Sequence, residues 1–277
     1  MAPWIQDAVV ENTPLSTTGG HTWKAAYRLA NYFSSTAANI GLNGGPQINK
    51  INILELGAGC GYLGITVARN LPNANIVCLT EQEDGGALSW LRHNVELNRN
   101  RGLPLDAVTV QPCDWLTYCQ ETGATTSILN SSYDVKPCIE ADEGINQQEL
   151  VLERTINEKS PPVLVPSLLA SPLCFEAITW DFIVGSDLIY NKIGSTCLPR
   201  VLSALSSAPT QIFYCHTKHR FDLLDLEFFE NLTAVGLKFE EVWEPEAEAP
   251  PESPPLQFPP SDLFPEQRVA IFKITSM

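Results

Sequence analysis

At 277 residues, 44% of them hydrophobic, the chain can bury a sizeable core without metals or disulfides, and one domain with elaborations is expected. A formal charge of −15 excludes a protein whose main work is gripping a phosphate backbone; it either aids solubility alone or leaves room for a basic partner such as a lysine-rich segment. There is no long apolar run for a membrane helix and no secretory pattern in the opening MAPWIQDAVVENTP, so the eight cysteines, none in a CxxC pair, are expected as reduced thiols in the cytoplasm or nucleus, not as a zinc cage.

Residues 1–45 form an N-terminal extension, in which HTWKAAYRLANYFSSTA (21–37) is a helix approached through Gly19 and Gly20. From residue 50 onward strand and helix patterns alternate, the signature of a mostly parallel sheet with helices on both faces. The strand INILEL (51–56) leads to a helix over 62–70 that stops before Pro72. ANIVCLT (74–80) is a strand, followed by the helix GALSWLRHNVELNRN (86–100), whose Leu88, Leu91 and Val95 make one face apolar. DAVTVQ (106–111) is the third strand. Residues 117–178 exceed any ordinary loop and read as an insertion. WDFIVGS (180–186), the helix LPRVLSALSS (198–207), QIFYCHT (211–217) and the helix FDLLDLEFFENLTAVG (221–236), with Gly236 as its C-cap, resume the alternation. KFEEVW (238–243) and RVAIFKI (268–274) bring the strands to seven, joined by a proline-rich acidic connection over 245–265. The fold class expected is therefore α/β, a Rossmann-like seven-stranded sheet.

The chemistry concentrates in ELGAGCGYLG (55–64), a glycine-rich turn between a strand and a helix. Gly57, Gly59 and Gly61 permit a tight bend and close approach of a ligand, and the helix start beyond offers free N–H groups. Gly59, Gly61 and Gly64 also satisfy the dinucleotide pattern GxGxxG, so spacing alone does not choose the cofactor. Glu55 favours S-adenosylmethionine, because a carboxylate there can face the ammonium of a methionine moiety and would repel a pyrophosphate. Glu81, about 20 residues on, sits where an acid takes ribose hydroxyls. Asp114 is placed to accept from an adenine amino group, with Trp115 as a wall for the ring. His216 and His219 follow the fifth strand and are candidates for the substrate mouth; His93 reads as solvated, and His21 as a cap for the first helix.

ELGAGCGYLGI, the Thr-Glu after the second strand, WLRHNVELN and above all GSDLIY (185–190) resemble the seven-β-strand protein methyltransferases of methyltransferase family 16. The likeness covers roughly residues 14–116 and 180–244, and its most specific part is Asp187-Leu188-Ile189-Tyr190. It implies a sheet whose last strand is antiparallel, S-adenosylmethionine as cofactor, and a lysine of a protein substrate as methyl acceptor. It also implies that Trp23, Gly57, Ala58, Gly59, Glu81, Trp115 and Ser186 touch the cofactor while Asp187 and Tyr190 orient the incoming amine. The chain departs from the family where Glu81 stands for a frequent Asp and Ser186 for a frequent Ala, and in its two long segments, which bear on substrate choice. A monomer acting on a protein, with neither nucleic acid nor membrane as partner, is the expectation. The competing readings are a small-molecule N-methyltransferase, a dinucleotide-dependent oxidoreductase, and a methyltransferase fold kept only for protein contacts.

Overall fold

A computed structural model describes residues 3–15, 18–42, 50–122, 173–218, 221–242 and 269–277. The proline-rich connection and most of the insertion lie outside these residues, as does His219. The strands are β1 (Ile51–Leu56), β2 (Ala74–Glu81), β3 (Val108–Pro112), β4 (Phe182–Ser186), β5 (Gln211–Thr217), β6 (Leu237–Val242) and β7 (Val269–Ser276). They form one sheet in the order β3-β2-β1-β4-β5-β7-β6. The pairs from β3 through β5 are parallel, and β7 runs antiparallel between β5 and β6, so all seven expected strands and the antiparallel last one are present. Strand order reverses between β1 and β4, and a sheet of this kind opens a crevice at the carboxyl ends of its strands there.

Helices α1 (Lys24–Thr36), α2 (Tyr62–Asn70) and α3 (Ala87–Asn100) cover one face of the sheet. Leu29, Phe33, Leu63, Ile65, Leu91 and Val95 bury there against Ile53, Val77, Val184 and Phe213, with Phe33 edge-on to Phe213 at 5.6 Å. Each such side chain is worth about 1.5–3 kcal/mol relative to exposure. The opposite face carries α4 (Lys192–Leu205) and α5 (Asp222–Ala234), where Phe228 packs 5.2 Å from Tyr214. Gly236, at φ +81°, supplies the left-handed turn after α5 that its sequence position announced.

Two departures from the sequence reading have clear causes. Helix α4 begins six residues earlier than expected, because the Asn191 side chain accepts the Gly194 N–H at 2.9 Å and starts the helix there; Pro199 is carried in its interior. The N-terminal residues 3–15 form neither strand nor helix, yet they are fixed along α2 and α3 by three asparagines. Asn70 accepts from Ile5 N and donates to Ile5 O, both at 2.7 Å. Asn98 does the same for Val9 (2.9 and 2.6 Å) and Asn94 for Glu11 (2.9 and 3.1 Å). Each carboxamide thus meets the N–H and the C=O of one residue of this strap as a neighbouring strand would, satisfying backbone groups that would otherwise need water. His93 belongs to the same seam, 3.0 Å from Glu11 and stacked on Trp90.

At the start of the insertion a 3-10 helix (Trp115–Thr122) is held to the returning chain by Tyr118, whose hydroxyl donates to Glu176 at 2.8 Å. Cys119 of that helix meets Cys197 of α4 in a buried contact bordered by Trp115, Leu116 and Ile193.

Candidate active site

An open cleft lies at the carboxyl ends of β1, β2, β3 and β4. Its first wall is the glycine turn after β1. Gly57 and Gly59 adopt φ +58° and +55°, which side-chain-bearing residues rarely take. A Cβ on Gly57 would lie 2.5 Å from Leu188 Cδ2, so the wall closes only if that position stays bare. Gly59 donates its N–H to Glu81 Oε2 at 2.9 Å, and Gln82 N–H donates to Oε1 at the same distance. Burial holds the Glu81 carboxyl above its usual range, against these two hydrogen bonds. Glu81 therefore splints the turn as well as facing the cleft.

The second wall follows β3. Asp114 accepts the Leu116 N–H at 2.9 Å and so opens the 3-10 helix that sets Trp115 along the cleft. Cys113 beside it has its thiol pushed up to about 12, burial being the main cause, and serves as a small apolar surface. The roof comes from the N-terminal extension: Thr18 and Gly19 line the cleft, and Trp23 donates its indole N–H to Thr18 O at 3.4 Å.

The third wall is the turn after β4, where Ser186, Asp187 and Tyr190 line the cleft. Asp187 has φ +50°, the one positive value at a non-glycine among the described residues. That strain costs about 1–2 kcal/mol and persists where surroundings over-determine it. Here they do: Asp187 N–H donates to Cys215 O at 2.9 Å, and its carboxylate accepts Thr217 N–H at 2.8 Å and Thr217 Oγ1–H at 2.9 Å. Burial keeps the Tyr190 phenol above its ordinary value, opposed by a hydrogen bond with Thr18 and reinforced by the charge of Glu81, so it enters any chemistry as a neutral hydroxyl.

Nine of the twelve expected site residues thus converge: Trp23, Gly57, Gly59, Glu81, Asp114, Trp115, Ser186, Asp187 and Tyr190. Three do not line the cleft. Ala58 is spent on the turn itself, donating its N–H to Thr80 O at 2.8 Å. Gly61 caps α2 at φ +88°, where a Cβ would fall 2.7 Å from Leu91 Cδ1; it is glycine so that α2 can pack on α3. Glu55 is the larger correction. The pleat of β1 sends it to the same face as Ile51 and Ile53, beneath α2, where a Cβ on Gly64 would sit 2.3 Å from its Oε2. Burial, opposed by the Gly64 N–H and joined by the charge of Glu81, raises its carboxyl to about 8. Glu55 is therefore a neutral acid under a helix, not a counter-charge at the cleft. His216 is likewise interior, 2% exposed, and not at a mouth, and His21 does not cap α1, which has no side-chain cap. The sequence reading missed Thr18, Leu188, Asn191 and Thr217; only Gly19 and Gly20 hinted that the extension reaches this site.

The lining has three carboxylates (Glu81, Asp114, Asp187), two indoles, and no Lys, Arg or His among the described residues. A dinucleotide pyrophosphate would find no cation there. S-adenosylmethionine fits: the acids suit its sulfonium and ammonium, the indoles suit its adenine, and the bare backbone at Gly57 and Gly59 gives the approach such a ligand needs.

The profile of a family described as lysine methyltransferase matches residues 6–135 and 144–235. A UPF0665 family protein of Schizosaccharomyces pombe is 46% identical over 168 residues, 61% of this chain and 34% of that protein. The chain therefore spans about a third of the length of that relative. Among solved structures, similarity extends to the CurJ carbon methyltransferase (12% identity, 91% of this chain and 54% of that chain, TM-score 0.47). It also extends to the human methyltransferase 10 domain containing protein (11% identity, 96% and 87%, TM-score 0.43). A third is the ribosomal protein L11 methylase of Lactobacillus delbrueckii subsp. bulgaricus (12% identity, 89% and 79%, TM-score 0.42).

Proposed function

We propose that this chain, which belongs to the lysine methyltransferase family of S-adenosylmethionine-dependent enzymes, methylates the side-chain amine of a lysine in a protein substrate. One observation carries the reading: a tryptophan-walled cleft whose charged lining groups among the described residues are all carboxylates, and whose edge is formed by Asp187 and Tyr190 on an over-determined turn. When bound, the cofactor would supply a sulfonium methyl group, whose carbon an amine nitrogen attacks in line while the sulfur leaves as the neutral thioether of S-adenosylhomocysteine. Glu81, held on the glycine turn, is placed to accept from ribose hydroxyls. Trp115 and Trp23 flank the space, and Asp114 keeps one oxygen for a donor on the base.

The acceptor side needs a cation drawn in and then made neutral, since a free lysine has a pKa of ~10.4. Asp187 faces the cleft with both oxygens already bonded to Thr217, so it offers its remaining lone pairs in a fixed direction. That attracts an ammonium and aims it. Desolvation beside the cofactor lowers the amine's proton affinity, and the proton leaves to water through the open cleft. Tyr190, kept as a phenol, offers its oxygen to accept a hydrogen bond from an N–H of the amine, which leaves the nitrogen lone pair free to attack. Orientation of this kind, not covalent catalysis, is what methyl transfer asks of a protein.

The test is to incubate the full chain with radiolabelled cofactor and cell lysate, separated into proteins and metabolites. Label recovered as methyl-lysine after protein hydrolysis is expected. Label confined to the metabolite fraction overturns the protein substrate and leaves the cofactor.

A further inference from the structure

The turn that presents Asp187 and Tyr190 rests on a buried polar chain that the methyl-transfer chemistry does not itself use. Because Asp187 reverses the backbone, the next amide, Leu188 N–H, points inward at a residue only 5% exposed and must find an acceptor. It finds the hydroxyl of Tyr214, at 3.2 Å. That oxygen lies 3.2 Å from Nδ1 of His216, two residues along the same face of β5. The far side of the ring, Nε2, lies 3.0 Å from Asp225 Oδ1 on α5, a buried charge contact rather than an aligned hydrogen bond.

The directions of these contacts follow from their chemistry. A lone pair on Nε2 would be repelled by a carboxylate oxygen at that distance, so the ring proton belongs on Nε2. Nδ1 is then an acceptor, and the Tyr214 O–H donates to it. Tyr214 remains a phenol, since full burial and the charge of Asp187 hold it well above its ordinary value. With its own proton committed to the ring, its oxygen is left to accept Leu188 N–H.

We infer that Tyr214, His216 and Asp225 are positioning residues for the Asp187–Tyr190 turn: the nearby Asp225 carboxylate on α5 fixes the tautomer of His216, and hydrogen bonds from His216 and Tyr214 on β5 carry that direction to the Leu188 amide. The position of Leu188 matters to the site: its side chain lines the cleft and lies against Gly57. If the amide loses its acceptor, the wall between the glycine turn and Asp187 loses its anchor. The inference rests on the methyltransferase reading for its effect on turnover, but not for its structural content.

Two measurements on the full chain separate these. Ring nitrogen spectra of the 15N-labelled protein are expected to show His216 protonated at Nε2 and bare at Nδ1; the opposite tautomer overturns the inference. In Tyr214→Phe, which keeps the ring against Phe228, hydrogen exchange at Leu188 is expected to rise about tenfold or more while Ile183 and Val184 in β4 stay protected. Asp225→Asn should produce a smaller rise at the same amide. Unchanged exchange at Leu188 in a folded Tyr214→Phe protein overturns the inference, and if that variant does not fold, the tautomer decides. Where methyl transfer is measurable, Tyr214→Phe should lower kcat about tenfold with the affinity for S-adenosylhomocysteine changed less than about threefold. A loss seen only in that affinity also counts against the inference, because Tyr214 does not line the cleft. A protein that methylates nothing would sink the proposed function while the exchange and tautomer results still judge the inference.

Discussion

The two facing walls of the cleft are built in opposite ways. The wall after β1 is backbone: bare glycines at positive φ, splinted by one carboxylate from the adjacent strand. The wall after β4 is side chains: a strained aspartate clipped to Thr217 and an amide hung on Tyr214, both partners coming from β5 about thirty residues away. The first wall tolerates almost no added atom, because its function is space. The second tolerates changes of shape better than loss of a hydrogen-bonding group, because its function is direction.

The sharpest way to break that contrast is Gly57→Ala. A Cβ there meets Leu188 at 2.5 Å on backbone already in the left-handed region. Strain of about 1–2 kcal/mol and overpacking of about 1–3 kcal/mol should weaken S-adenosylhomocysteine binding about a hundredfold or more, measured by calorimetry. Gly102→Ala, also at positive φ but with nothing within 4 Å, should lower melting temperature slightly and leave binding alone. Equal losses of affinity in the two variants would refute the claim that space is what the glycine wall supplies.

Next in size is Glu55, under the glycine wall. Its carboxyl titrates near 8 in the fold and near 4.5 when unfolded. Between those values the native state holds a proton the unfolded state lacks. Its contribution to stability is therefore complete below about pH 4.5 and is lost as pH rises through 8, at up to about 1.4 kcal/mol per pH unit. Glu55→Gln should flatten that slope in denaturant titrations from pH 5 to 9 and be the more stable protein at the alkaline end. If it instead abolished cofactor binding with the fold intact, Glu55 would be a cofactor ligand after all.

Smaller still in stability is Asp187→Ala on the opposite wall, which strands Thr217 N–H and should cost about 1–3 kcal/mol of unfolding free energy. Its larger consequence is for turnover, which should fall about a hundredfold because orientation is lost, with cofactor affinity nearly unchanged. Thr217→Val, removing only the hydroxyl donor, should fall between wild type and Asp187→Ala in both. The smallest effect belongs to the strap. Asn98→Ala removes two hydrogen bonds to Val9, and about 1–2 kcal/mol is expected, read as faster proteolysis of residues 3–15.

The contrast also explains what could be read in advance. The glycine turn, Glu81 and Trp115 belong to contiguous strand–turn–helix units, and their roles follow from spacing within one unit. Asp187 and Tyr190 were legible as residues, because the Asp-x-x-Tyr carries a family resemblance, but not their supports. Thr217, Tyr214 and His216 come from a different strand, and no local pattern says which strand will be the neighbour. Glu55 failed for a related reason. Its position in the chain is right for a ligand contact, but the pleat decides which face it takes, and that face is covered by α2.

The order of strands and helices, the seven-strand count and the glycine bend were fixed by local periodicity and by backbone freedom at single residues, which a chain carries with it unfolded or folded. The protonation of Glu55, the asparagine-held strap and the polar chain under Leu188 were decided only on assembly. Each depends on desolvation and on hydrogen bonds between segments far apart in the chain, and neither exists until the sheet has closed.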